Sequence, residues 1–318
     1  MLKIRHFEKG VDELVWITVL NAAFKNFKDW RTISVEEFVS EEESSNFDFE
    51  GRMIAEFDGK PVGVIHAHVD KSGEEEKGFL QDFGVIPEFR DLGVEEKLVE
   101  SAVDELEKHG ITVVQAPRIR WSHQGKEECI QFLEKMGFEL IRRISLMEID
   151  LAEIPSNIGE NRDVVFRVLR EGAEEDVELL CWLRNQCFKG QFNYCLTTVE
   201  ENRYFMSNNS YSLLEVFFAI LDEEEVGFLV VVIDEKFNIE KKARFGGIIA
   251  VGVLQPYRRK GIGTKLTLMG LEALKEKGMA KVILDVDDLN QTRAKRLYEK
   301  VGFEVVEQYL TYEKRLEP

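Results

Sequence analysis

The residues whose types and spacing could do chemistry are concentrated in one stretch, Ile248-Ile249-Ala250-Val251-Gly252-Val253-Leu254-Gln255-Pro256-Tyr257-Arg258-Arg259-Lys260-Gly261-Ile262-Gly263-Thr264. Three consecutive cations precede two glycines spaced by one residue. A helical pattern through Leu266, Leu268, Leu271 and Leu274 follows, ended by Gly278. The apolar run before them is short and β-branched, so it reads as a buried strand that stops at Pro256. Strand, basic glycine-rich turn and helix start together make an anion site. The first helical turn offers unpaired N–H donors and the positive end of the dipole. Glycines let a phosphate reach the backbone because no Cβ intervenes. A dinucleotide fingerprint would need a third glycine where Leu266 stands, and a P-loop would need Gly-Lys-Ser/Thr, so neither applies.

The stretch does resemble the acyl-CoA signature of the GNAT N-acetyltransferase superfamily, Gln/Arg-x-x-Gly-x-Gly/Ala, at Arg258-x-x-Gly261-x-Gly263. A second resemblance lies downstream, Asn290 through Ala294 to Leu297-Tyr298-Glu299-Lys300-Val301-Gly302-Phe303, like that family's Asn…Ala…Leu-Tyr-Glu-x-x-Gly-Phe. The resemblance implies an acetyl-CoA-dependent transfer in which a primary amine attacks the thioester directly. It assigns the donor to Val251, Val253, Arg258, Arg259, Lys260, Gly261, Ile262, Gly263, Thr264 and Asn290. A backbone N–H around Val251 to Val253 would hold the oxyanion. Tyr298 is the candidate acid for the departing thiolate, since a phenol titrates near about 10 and a thiol near about 8.5. The alternative for Tyr298 is a packing role. All five histidines (His6, His66, His68, His109, His123) lie in the first half, which excludes a local histidine base. Asp285 is the candidate base, with Asp287 and Asp288 beside it. The alternatives are that these acids solvate a strand end, or that water carries the proton away.

The elements that position these residues occur twice. In the first half, strands are expected at Leu2–Phe7, Arg52–Phe57, Pro61–Val69, Phe79–Ile86 and Ile111–Gln115, with Asp58-Gly59-Lys60 as a hairpin turn. Helical spacing covers Val11–Phe27, Val35–Val39, Val94–Lys108 and Glu127–Met136, and two further strands run to about Asp150. In the second half, strands at Val164–Leu169, Leu213–Leu221, Val226–Ile233, Ile248–Leu254 and Lys281–Val286 alternate with helices through Phe188, near Val199–Met206, after Gly263 and at Thr292–Val301. A final strand pair runs to Tyr312. Phe132-Leu133-Glu134-Lys135-Met136-Gly137-Phe138 answers Leu297-Tyr298-Glu299-Lys300-Val301-Gly302-Phe303. An internal repeat of about 160 residues therefore sets the architecture.

The expected fold is α/β (α+β): two tandem GNAT-like domains, 1–150 and 162–318, joined by a linker at 151–161 whose Pro, Ser and Gly break periodicity. The resemblance gives each a mixed, mostly antiparallel twisted sheet, flanked by helices, with a splay between its fourth and fifth strands for the pantetheine arm.

The copies differ chemically. Against Arg258-Arg259-Lys260-Gly261-Ile262-Gly263 the first half sets Arg90-Asp91-Leu92-Gly93-Val94-Glu95, and Leu133 stands where Tyr298 does. Asp91, Glu95 and Glu96 suit a helix N-terminus but repel phosphates. The first domain is therefore expected to be degenerate and non-catalytic. The other class open to the chain is a non-catalytic acyl-CoA-binding or regulatory protein.

Composition narrows the partners. The net charge of −18 argues against nucleic acid. It is uneven: residues 1–158 hold 33 acids and 19 bases, net −14, and the rest 27 and 23, net −4. Acidic runs at Glu41-Glu42-Glu43 and Glu74-Glu75-Glu76 read as solvated loops. No apolar run reaches membrane-spanning length, and the start is a strand, not a signal peptide. Cys129, Cys181, Cys187 and Cys195 form no C-x-x-C pair and fit a reduced cytoplasmic chain. His66 and His68 share a strand face but lack a third ligand, so no metal is expected. The acceptor is a small-molecule or peptide amine, with no membrane partner, and the oligomeric state stays open.

Overall fold

The computed structural model describes residues 1–27, 30–41, 50–70, 76–116, 126–154, 164–207 and 211–317. They form two compact units: residues 1–143 with 309–318, and residues 144–308. The linker at 151–161 falls mostly outside the described residues, as do the acidic runs beyond Glu41 and before Glu76.

In the first unit, β1 (Leu2–His6), α1 (Glu13–Phe24), α2 (Val35–Glu41), β2 (Arg52–Phe57), β3 (Lys60–Asp70), β4 (Lys77–Val85), α3 (Val94–Lys108), β5 (Val113–Ala116) and α4 (Lys126–Lys135) follow in order. β2 and β3 are joined at Asp58 (φ 49°) and Gly59 (φ 79°), the two left-handed residues a tight hairpin turn needs. The strands pair β1-β2-β3-β4-β5, antiparallel except β4 with β5, and β5 pairs antiparallel with Tyr312–Arg315 of the chain's last strand. One face packs under α3 through Leu98, Ala102 and Leu106, and the other holds the aromatic cluster Phe7, Trp16, Phe24 and Phe38.

The second unit repeats this plan. It contains the end of β6 (Glu139–Asp150), then β7 (Val165–Val168), α5 (Glu174–Phe188), α6 (Val199–Ser207), β8 (Leu213–Leu221) and β9 (Glu224–Ile233). α7 (Glu235–Lys241), β10 (Phe245–Val253), α8 (Ile262–Glu276), β11 (Lys281–Asp287), α9 (Ala294–Val301) and the start of β12 (Glu304–Arg315) complete it. Its strands pair β7-β8-β9-β10-β11, antiparallel except β10 with β11, and β11 pairs antiparallel with Ile144–Asp150 of β6. Val282, Leu284 and Val286 face α8 and α9 with Leu266, Leu271, Leu274 and Val301. The opposite face packs Val216, Phe218, Phe228 and Val230 against Leu180, Leu183 and Cys187 of α5.

Two features depart from expectation. Where a strand pair was expected after each of α4 and α9, the chain forms one long strand, β6 and β12. Glu139–Asp150 and Glu304–Arg315 contain no Gly, Pro or Asn to turn the chain, so the extended run continues. Each long strand passes from one unit to the other, so the sixth strand of each sheet is supplied by the other half of the chain. The compact units therefore cross the 1–150 and 162–318 halves. The second is α7, which no hydrophobic period announces. It is started by Asp234, whose carboxylate accepts from the Phe237 amide at 2.8 Å.

Candidate active site

The glycine-rich turn sits where β10 hands over to α8. Arg259 (φ 66°) and Gly261 (φ 83°) are both left-handed, and Gly261 is the N-cap of α8. The first intrahelical bond is donated by the Lys265 amide to the Gly261 carbonyl, 3.1 Å. The amides of Ile262, Gly263 and Thr264 are thus the orphan donors of the helix start. The Ile262 side chain is buried in the core, so only its backbone is offered.

The three cations separate by role. Arg259 and Lys260 are exposed, and Lys260 Nζ lies 5.1 Å from the Tyr257 ring centroid. Arg258 turns inward: Nε donates to Val253 O at 2.8 Å and Nη2 to Cys187 O at 3.0 Å. It ties the turn to the end of β10 and to the last turn of α5, where a cation also complements the helix dipole. Arg90 does the same in the first unit, donating to Val85 O at 3.1 Å and Ala23 O at 3.0 Å.

β10 and β11 part after four residue pairs. Their parallel pairing runs from Phe245↔Lys281 to Ile248↔Leu284 and stops, while β10 continues along β9 and β11 along β6. The Leu254 amide donates to Val226 O at 2.9 Å, on the β9 side. Amides alternate between the edges of a strand, so those of Val253 and Val251 point to the opened side. Asn290, in the turn after β11, accepts from the Thr292 amide at 2.8 Å, and its Nδ2 lies 3.5 Å from Gln191 Oε1, just beyond α5.

Tyr298 of α9 is buried in the α8–α9 core, 8% exposed, and edge-on to Phe303 at 5.9 Å. Its hydroxyl has no hydrogen-bond partner among the described residues, and burial pushes its pKa up to about 12. Asp285 alternates with Leu284 and Val286, so it is exposed on the other face of β11. Acid and base candidates thus stand on opposite faces of the sheet. That arrangement can take a proton from an amine on one side and supply one to sulfur on the other.

The first unit keeps the backbone of the turn and changes what it presents. Asp91 (φ 59°) and Gly93 (φ 77°) repeat the conformations of Arg259 and Gly261. Glu95, in the position of Gly263, is only 4% exposed. Its carboxyl is raised to about 7 by burial, against the pull of its own backbone amide. An internal carboxyl therefore occupies the helix start that a phosphate would need. Among the described residues β4 and β5 pair at Gly78↔Val114 and Phe79↔Gln115 alone.

Sequence reasoning missed Gln191, because nothing in its surroundings marks a loop glutamine. It also missed a polar cluster: Asp288 accepts from Ser145 Oγ at 2.6 Å, Lys295 Nζ at 2.7 Å and Gln308 Nε2 at 3.0 Å. Ser145 is in β6, far away in the chain, and only strand exchange brings it there. The pair His66–His68 has ring centroids 5.7 Å apart. Among the described residues no group of three His, Cys, Asp or Glu side chains is gathered as a metal would require. No helix of the described residues is long and apolar enough to cross a membrane.

Two α/β units, each with a divergence between its fourth and fifth strands and a glycine-capped helix following the fourth, define a tandem acetyltransferase fold. The sequence matches the family described as "Acetyltransferase (GNAT) family" at residues 16–138 and again at 177–303, and the chain belongs to that family. Among its relatives is a mycothiol acetyltransferase of Amycolatopsis mediterranei (strain U-32), 27% identical over 264 residues, covering 81% of this chain and 82% of the relative. One from Corynebacterium aurimucosum is 37% identical over 79 residues, 25% of this chain and 26% of the relative. A solved tandem GNAT protein from the clavulanic acid biosynthesis pathway is similar over 100% of this chain and 99% of its own, with TM-score 0.73 and 16% identity. A GCN5-related N-acetyltransferase from Sphaerobacter thermophilus covers 100% and 96% respectively, with TM-score 0.67 and 19% identity. At such identities the two structures speak for the fold alone.

Proposed function

We propose that this chain transfers an acetyl group from acetyl-CoA to a primary amine, with the chemistry in its second half and the first half non-catalytic. The observation that carries the reading is the contrast between the two helix starts. Gly261 to Thr264 offers free amides beside exposed Arg259 and Lys260, while Glu95 fills the same position in the first unit with its own carboxyl.

In this proposal the CoA phosphates bind the amides of Ile262, Gly263 and Thr264, with Arg259 and Lys260 supplying charge and Arg258 fixing the turn. The thioester lies along the opened edge of β10, where the Val251 or Val253 amide donates to the carbonyl oxygen as it becomes an oxyanion. The amine approaches on the α5 face and passes a proton to Asp285 or to water. The C–N bond forms, the C–S bond breaks, and the sulfur takes a hydrogen bond or proton from Tyr298. A phenol held at about 12 is a weaker acid than the free side chain, so it acts as a donor that stays protonated throughout the ordinary pH range. Asn290 holds the turn after β11 in place. The buried thiols Cys181 and Cys187 fit a reducing compartment, and a cytoplasmic location is part of the proposal.

The relatives named mycothiol acetyltransferase support transfer to a small amine, without naming the acceptor here. The test is thiol release from acetyl-CoA across amines, amino acids and peptides, with the product identified by mass. An amine-dependent release with a 42-dalton (acetyl minus hydrogen, about) gain on the amine supports the proposal. CoA binding without transfer to any member would favour a binding or regulatory protein.

A further inference from the structure

One half-buried cation of the second unit, Arg184, has no part in acetyl transfer as proposed. Arg184 lies on α5, three residues before Cys187, whose carbonyl receives Arg258. Its Nη1 donates to Asn202 Oδ1 at 2.5 Å, and its guanidinium carbon stands 5.6 Å from the Phe205 ring centroid. Its Nε is buried without a hydrogen-bond partner, and no carboxylate of the described residues lies within 4.0 Å of the group. Other arginines of this unit are compensated: Arg167 pairs with Asp176 and Glu225, and Arg170 with Asp176. The acid nearest in charge to Arg184 is Glu201, whose carboxylate accepts from the amide and hydroxyl of Thr198 at 2.7 and 3.0 Å.

A guanidinium drawn partly out of water, with its Nε buried, is costly to hold unless an anion compensates it. Here the side chain is also held in orientation, because Asn202 is fully buried and fixed to Thr198 O at 3.1 Å. With Nη1 taken, the Nε–Nη2 edge remains, which is the fork that pairs with a carboxylate through two parallel hydrogen bonds. The next residue, Asn185, ties down the segment that follows α5: it bonds the Tyr194 hydroxyl at 2.8 Å and the Thr197 amide at 2.9 Å. Within that segment Gln191 reaches Asn290 across the opened side of β10 and β11. Arg184 is therefore on the helix that covers the face from which the amine approaches.

We infer that Arg184 receives a carboxylate of the acceptor, which makes the acceptor an amino acid or short peptide with a free carboxyl group rather than a simple amine. This rests on the transfer reading of the preceding subsection.

The test uses the full chain and matched probes, each amino acid against its own carboxamide. Thiol release should favour the acid at least about tenfold in kcat/KM, and Arg184→Met should remove that preference by raising KM for the acid by about the same factor. Arg184→Lys should keep part of it, and calorimetry should show CoA binding unchanged in each variant. A binding arm needs no turnover: N-acetylalanine, N-acetylphenylalanine and N-acetylglutamate, with their carboxamides, are titrated against the CoA-loaded protein by NMR. Binding of the acids that is lost with the carboxamides and in Arg184→Met supports the inference even if no amine in the panel is acetylated, a result that would sink only the transfer reading. Acid and carboxamide bound alike, no acid bound at all, or binding untouched in Arg184→Met overturns it. Succinyl-CoA used in an Arg184-dependent way, with acids and amides accepted equally, would place the carboxylate on the acyl group and overturn it too. The wild-type comparison of acid with carboxamide stands even if a variant fails to fold.

Discussion

A Cβ on Gly263 would stand 3.0 Å from Leu297 Cδ1, so the start of α8 packs closely under α9. Gly263→Ala should shift stability by no more than about 1 kcal/mol, because the better helix propensity offsets a contact that a leucine tip can relieve. CoA affinity should nevertheless fall measurably, since the added methyl also crowds the helix start. Urea denaturation and calorimetry on the same preparation separate the two effects.

Tyr298→Phe should lower kcat by about 10²-fold with little change in acetyl-CoA affinity, if the hydroxyl serves the departing sulfur. The ring remains to fill the core against Phe303. Because the phenol is pushed up to about 12, its ionisation should add no limb to the rate profile below about pH 11. Single-turnover rates measured across pH test both statements.

The three adjacent cations should give different phenotypes. Arg258→Met removes two charge-assisted bonds to carbonyls and should cost about 2–4 kcal/mol of stability. Arg259→Met should leave stability within about 0.5 kcal/mol and instead weaken CoA binding and its salt dependence. Thermal melts beside titrations at low and high salt would show whether the roles divide this way.

Glu95 links the first unit to pH. Its carboxyl is raised from 4.5 to about 7 in the folded chain, so between those values the native state binds more protons than the unfolded one. Stability from this group is therefore present below about pH 4.5 and lost as pH rises through about 7. Glu95→Gln should abolish that part of the dependence and stabilise the protein at pH 8 by about 2–3 kcal/mol. Denaturation curves at several pH values between 4.5 and 8 check the sign.

Much of this architecture is legible in the sequence because its signals are local. The two-residue turn at Asp58-Gly59, the glycine ends of α3 and α8, and the cation–glycine turn before α8 each rest on a backbone conformation that few residues adopt. The repeat made the first half readable from the second. What was hidden depends on distant partners. Nothing in Ile144–Asp150 says that it pairs with β11, or in Tyr312–Arg315 that it pairs with β5, since backbone pairing between distant strands leaves no local mark in either segment. Nor does a sequence say that Arg258 points inward while Arg259 points out. The left-handed φ of Arg259 divides them, and only the fold reveals it.

The central claim is that acetyl transfer runs through the second turn and not the first. The most direct measurement is amine-dependent thiol release by Gly263→Glu and by Glu95→Gly, each beside the wild type, with CoA binding followed by calorimetry. The account predicts one CoA site per chain, turnover and binding both abolished in Gly263→Glu, and turnover retained in Glu95→Gly. Full activity in Gly263→Glu, or its loss in a well-folded Glu95→Gly, would contradict it.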